Sequence, residues 1–199
     1  MIRFLIACFC IFLWLGKETK AQNFTKNIGI KVGLASNWLA PVPEEVVSRG
    51  NLLGYQVGIF GRITTPITNF YFQPELYYAQ KGGRYTLLGA VEKEARINTI
   101  DLGAHLGKRL FMGYGRVQIG VIFSSVASQE LMTKTPISTF TTPIENLNGF
   151  MMGMQIGIGA DLKKFTFDIR YESILTNLVS VDNYFKPRGL QFSVGFKIL

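Results

Sequence analysis

His105 is the only histidine in the chain. Asp101 stands four residues before it, and Ser124 and Ser125 follow further along. A nucleophile, a base and an orienting carboxylate within hydrogen-bond reach would form an acyl-transfer site. On a β-strand, residues 101 and 105 share a face, so Asp101 and His105 can point into one space. This set would suit an enzyme that modifies lipid acyl chains. The position of His105 speaks against it. It falls well inside its strand, below the rim where a lipid would enter, so we read it as a member of a buried polar network. No metal site is expected. There is one histidine, the carboxylates are scattered, and both cysteines, Cys8 and Cys10, fall in the N-terminal leader described below. No cofactor is expected either, since "GRYTLLGAVEKE" lacks phosphate-loop spacing.

The remaining chemistry lies in ionisable groups that recur on one side of alternating segments. The cations are Lys31, Arg62, Arg109, Arg170 and Lys197, and the anions are Glu75, Asp101, Asp161, Asp168 and Glu172. Five of each sign on one face predict an ion-paired interior, because a buried unpaired charge costs several kcal/mol. Glycines on that face, among them Gly29, Gly33, Gly58, Gly103, Gly107, Gly120, Gly157 and Gly195, leave room for long side chains. With His105 these ten groups form the predicted interior polar network. No residue is assigned a catalytic role.

The elements that must position these groups are strands. In "GMQIGIGADLKKFTFDIRYE" (153–172) the apolar residues sit on even numbers up to Leu162 and on odd numbers from Phe165. Period-two alternation is the strand signal. The parity flip across Lys163-Lys164 is what a two-residue hairpin requires for one apolar face to continue. The same pattern predicts eight runs, at 27–38, 52–63, 70–81, 96–110, 115–127, 149–162, 165–174 and 189–199. Pro74 predicts a bulge or a missing ladder bond in the third run. The connections alternate in length: 40–51, 82–95, 128–148 and 175–188 are long, and 64–69, 111–114 and 163–164 are short. Outer-membrane barrels have short periplasmic turns and long outer loops, and an even strand count leaves both termini in the periplasm. Aromatic residues gather near run ends: Trp38, Tyr55, Tyr78 and Tyr171 at one side, and Phe70, Phe111, Tyr114, Phe165 and Phe196 at the other. They predict two interfacial girdles.

Composition agrees. Charged residues make up 17% of the 199 residues, below the ~25% of ordinary soluble proteins, and mean hydropathy is +0.22. Beyond the N-terminus no apolar block is long enough for a transmembrane helix. Residues 1–21 read as a signal peptide: Arg3, an apolar stretch at 4–15, and Thr19 and Ala21 flanking Lys20 as a cleavage site requires. The apolar stretch is too short for a membrane anchor, and "LIAC" (5–8) comes too early for a lipoprotein box. Residues 22–199 are then one barrel domain. Removing the leader takes away three cations and one anion from a formal charge of +8 and leaves +6. Nucleic acid is not the expected partner of an exported chain with dispersed cations; an anionic lipid headgroup layer is.

A soluble lipocalin-like barrel would have the opposite faces, apolar inside and Lys/Glu-rich outside, without regularly alternating loop lengths. The segments "IGIKVGLASNW" (28–38), "QPELYYAQKGG" (73–83) and "GADLKKFTFDIRYE" (159–172) resemble the PorT-like outer-membrane β-barrel family of Bacteroidota. That resemblance implies an eight-stranded antiparallel up-and-down transmembrane β-barrel in the outer membrane. It also implies a tie to secretion, through the member that gives the family its name. The expected function is a non-enzymatic barrel with a plugged polar interior that anchors outer loops or serves an envelope or secretion complex. Its expected partners are outer-membrane lipid and proteins of that complex. A small pore and a lipid-modifying enzyme using His105 are the alternatives.

Overall fold

The computed structural model describes residues 25–40, 46–65, 67–87, 91–111, 114–134, 139–142, 149–176 and 186–199. The leader and its cleavage site lie outside them. Alternation drives every long element. Eight strands close into an antiparallel barrel: β1 (Thr25–Ala40), β3 (Leu52–Thr64), β4 (Phe70–Leu87), β5 (Val91–Leu110), β6 (Gly115–Lys134), β8 (Phe150–Leu162), β9 (Phe165–Ile174) and β10 (Lys186–Lys197). Two short strands, β2 (Val46–Gly50) and β7 (Thr139–Thr142), flank them. Around the ring the order is β4, β3, β1, β10, β9, β8, β6, β5, and β5 pairs back onto β4. The first and last strands pair along their length, from Gly29 opposite Lys197 to Ala40 opposite Lys186. Closure leaves no sheet edge in the barrel, which a strand needs where no water can satisfy its backbone.

The two faces have opposite chemistry. Outside lie Ile28, Ile30, Val32 and Leu34 of β1, Ile156 and Ile158 of β8, and Leu190 and Phe192 of β10, each about half exposed. Inside lie Lys31, Gln56, Arg62, Glu75, Asp101, Gln155, Asp168 and Arg170, all buried. At the short-turn end the Phe165 and Phe196 rings meet at 5.4 Å. At the other end Trp38 lies 6.2 Å from Tyr171 and Tyr55 lies 6.3 Å from Tyr78. Among the described residues, the three short turns hold non-glycine residues in the left-handed region at Asn69 (φ 57), Phe111 (φ 50) and Lys163 (φ 53). Leu162 and Phe165 pair across the last of them. At Pro74 the β3–β4 ladder keeps its register but lacks the pairs opposite Gly61 and Arg62. The missing donor therefore interrupts the ladder without a bulge.

Several strands run past the expected ends, β4, β5 and β6 the farthest. The connection expected at 82–95 is instead a hairpin extension, with β4 continuing to Leu87 and β5 starting at Val91. Similarly, β6 continues to Lys134. β2 pairs with β4 and β7 with β6. These segments form a sheet, in the order β2-β4-β5-β6-β7, that rises beyond the apolar belt on one side of the mouth. Alternation of apolar and polar residues reports the contrast between lipid and interior. Above the belt that contrast ends, so the sequence stops signalling strands while the backbone ladder continues. A bulge at Ala127 marks the transition, with Asn98 opposite Ser128 but Thr99 opposite Val126. On the outer face of this wall, Arg84 Nη2 lies 2.7 Å from Glu94 Oε2, and Arg96 also bonds to Glu94. Burial pushes the Glu94 carboxyl up, but the hydrogen bonds from Arg84 and Arg96 outweigh it and hold the carboxyl below its usual range.

Candidate functional site: the barrel interior

Each inward side chain is placed by strand parity, and the ring order decides which ones meet. Strands four apart in a ring of eight face each other across its full diameter. Three ion pairs make that crossing. Arg62 on β3 reaches Asp161 on β8, with Nη1 2.8 Å from Oδ2. Arg170 on β9 grips both oxygens of Glu75 on β4, at 2.6 and 2.7 Å. Lys81 on β4 reaches Glu172 on β9 at 2.6 Å.

Shorter contacts join these crossings into a ladder. At the short-turn end Arg116 lies 2.8 Å from Asp168 and 3.4 Å from Asp161. Lys197 lies 3.3 Å from Asp161 at the mouth. At mid-height Lys31 contacts Glu75 and lies 3.2 Å from Asp168. Higher up, Lys81 also lies 3.0 Å from Asp101. Neutral amides add further bonds: Gln118 donates to Asp168 (3.0 Å) and Gln191 to Glu172 (2.7 Å). Beside the upper rungs, at the levels of Asp101 and Lys81, packs an apolar cluster of Tyr77, Ala79, Ala95, Ile97, Ile122, Met151 and Ile174.

His105 is fully buried inside this ladder. Its Nε2 donates to Gln155 Oε1 at 2.7 Å, and its Nδ1 lies 3.3 Å from the Gln73 carbonyl oxygen. The ring rests against Gly120, where an added Cβ would collide with the imidazole. Asp101 and Ser124 do not join it. Both are turned to Lys81, and each is offset by four residues from the His105–Gly120 level, about 13 Å along a strand. Ser125 has the outward parity of β6. No nucleophile–base–carboxylate chain forms here.

All the charged groups expected on the inner face have inward parity, and Arg109 lies half-buried at the short-turn mouth, opposite Arg116. Two cations of the ladder, Lys81 and Arg116, were missed. Parity alone places both inward, but each stands at the end of an apolar run, where inward and outward are hardest to separate. The inward glycines serve rings as well as charges: Gly107 lies against Tyr71 and Gly120 against His105, while Gly157 lies against Arg170.

The family model of the outer membrane protein beta-barrel domain matches residues 20–180. The chain belongs to this family. Among curated proteins none matches its sequence significantly. The solved structure of Neisserial surface protein A (NspA) is similar, with a TM-score of 0.53 at 13% identity, covering 86% of this chain and 97% of that one. Ail, the attachment invasion locus protein of Yersinia pestis, solved with the heparin analogue sucrose octasulfate, has a TM-score of 0.50 at 11% identity. That match covers 87% of this chain and 99% of Ail. At such identities the likeness concerns the fold. For an outer membrane protein beta-barrel domain the two faces have a direct reading: the apolar face meets lipid, and the ion-paired face is the lumen.

Proposed function

We propose that this outer-membrane barrel is a closed, non-enzymatic scaffold that presents its outer sheet and loops, alone or as an accessory of an envelope or secretion complex. The observation that carries the reading is the set of three ion pairs spanning the lumen diameter, with an apolar cluster packed beside the upper rungs. A permeating ion would have to break pairs held at 2.6–2.8 Å and pass the apolar side chains around Lys81. An eight-stranded barrel is just wide enough for side chains to fill. The short-turn end, with both termini, faces the periplasm in this reading, and the wall built on β4, β5 and β6 faces outward. Nε2 of His105 donates to Gln155 and Nδ1 faces the Gln73 carbonyl, while Asp101 and Ser124 turn to Lys81, which favours a structural role over catalysis.

The PorT-like resemblance rests on three stretches: residues 28–38 on β1, 73–83 on β4 and 159–172 on β8 and β9. Between them they supply Lys31, Glu75, Lys81, Asp161, Asp168, Arg170 and Glu172. The resemblance is therefore carried by the groups that build the ladder, which supports a shared interior design and, more distantly, the secretion tie. The test is single-channel recording of the purified barrel in planar bilayers. Silence across the usual voltage range is expected; stable conductance steps would replace this reading with the small-pore one. Extraction from the native membrane in mild detergent then separates an accessory, which co-purifies with envelope components, from a stand-alone barrel.

A further inference from the structure

The net charge of the chain is concentrated at one rim. Without Arg3, Lys17, Lys20 and Glu18 of the leader, the 21 cations and 13 anions become 18 and 12. In the lumen five carboxylates meet Lys31, Arg62, Lys81, Arg116 and Arg170, and cancel. Seven cations and seven anions belong by sequence to the long-connection end, and also cancel. The six that remain are Lys26, Lys108, Arg109, Lys163, Lys164 and Lys197, all at the short-turn end. The three short turns and both terminal segments there carry no Asp or Glu in the sequence. The nearest carboxylate, Asp161, is buried and shared among Arg62, Arg116 and Lys197.

Four of these lysines, Lys26, Lys108, Lys163 and Lys164, are exposed. Lys26 and Lys108 have the outward parity of Ile28 and Leu106 and stand one step below the apolar belt. The Lys108 ammonium sits 5.3 Å from the Phe70 ring centre, and that of Lys164 5.9 Å from Phe196. Both charges are thus held at an aromatic girdle, which marks the level of lipid headgroups. The carriers β1, β5 and the β8–β9 turn are spread around the ring. A protein docking from one side would meet only some of them, whereas an annulus of lipid would meet them all.

We infer that the short-turn rim is a ring of binding sites for anionic phospholipid headgroups, whose phosphodiesters the four lysines engage from the outer wall. The inference rests on the reading of the chain as a membrane barrel with this end in the periplasm. The ring would select its own lipid annulus and fix the depth at which the barrel sits.

The test uses the full mature chain folded in phosphatidylcholine nanodiscs. Spin-labelled phosphatidylglycerol is compared with spin-labelled phosphatidylcholine, and the motionally restricted fraction reports relative association. A lysine near an anionic headgroup favours it by up to about fivefold before screening. The wild type should prefer phosphatidylglycerol several-fold, and the preference should collapse in about 1 M salt, where charges are screened beyond roughly 3 Å. In K26Q/K108Q/K163Q/K164Q it should vanish, and in R84Q/K93Q, altered at the other end, it should persist. Equal association of both lipids with the wild type overturns the inference, as does a preference indifferent to salt or to the quadruple change. Heat-modifiable gel migration, run on the same samples, keeps the readings apart. A folded wild type without lipid preference defeats the ring alone, whereas a wild type that never forms a heat-modifiable barrel defeats the membrane reading beneath it.

Discussion

Arg170→Met removes the guanidinium that grips Glu75 across the barrel. The Met side chain keeps an unbranched stem but ends two atoms short of the guanidinium nitrogens; the lumen loses one positive charge and Glu75 loses two charge-assisted hydrogen bonds. Lys31 must then serve Glu75 and Asp168 alone from that side, with Arg116 as the only other cation on Asp168. Breaking a buried pair by removing one partner typically costs about 3–5 kcal/mol, because the other charge stays buried. Glu75→Met should cost a similar amount, since Arg170 and Lys31 would then share Asp168. The double variant removes the pair and leaves Lys31, Asp168 and Arg116 in contact. Replacing a whole buried pair by apolar groups is often nearly neutral, so the double change should cost at most about 2 kcal/mol. The coupling in the cycle is then several kcal/mol and favourable. Urea unfolding in lipid vesicles, followed by gel shift and by fluorescence of Trp38, measures all four proteins. A single-variant cost below about 1 kcal/mol, or a double variant equal to the sum of the singles, would refute the claim that these charges are sealed from water.

Lys163 occupies a left-handed backbone position (φ 53) that costs a residue other than Gly or Asn roughly 1 kcal/mol. Lys163→Gly should therefore stabilise the barrel slightly against urea, and a loss of stability would contradict the turn geometry. His105→Gln should leave the membrane's lipid A and phospholipid acyl pattern unchanged by mass spectrometry; a lost lipid species would revive the enzyme reading. Glu94 titrates lower in the fold than in the open chain, so its pairs with Arg84 and Arg96 contribute above the ordinary carboxylate range. That contribution is lost as pH falls through the depressed value. Hydrogen exchange, corrected for intrinsic rates, should show residues 82–96 opening in acid while the belt strands stay protected.

The barrel was legible because one physical contrast, lipid against interior, writes itself as alternation in every strand. The hairpin at Lys163-Lys164 shows this, since the parity flip announced it although two lysines are poor turn residues. The inward ladder followed from the same parity, but its crossings did not. Glu75 and Arg170 are far apart in sequence, and only the ring order places their strands on opposite walls. The apolar cluster was hidden for a different reason. Ile97, Ile122, Met151 and Ile174 sit on the polar face's parity, where the pattern reads them as noise rather than as packing beside the charged groups. The outer wall was hidden because Arg84, Glu92, Glu94 and Arg96 rise above the membrane, where strands need no apolar face.

The account depends most on which face meets lipid. Residues 22–199 contain no cysteine, so in a chain of those residues single cysteines can be placed at Leu190, Gln191, Phe192, Ser193 and Val194 of β10 and spin-labelled in lipid bilayers. The account predicts alternation with period two: high oxygen accessibility at 190, 192 and 194, and low accessibility to both oxygen and a water-soluble nickel complex at 191 and 193. High nickel accessibility at 190, 192 and 194 would mean that this face meets water, and free nickel access at 191 and 193 would mean an open lumen. Either result would contradict the account.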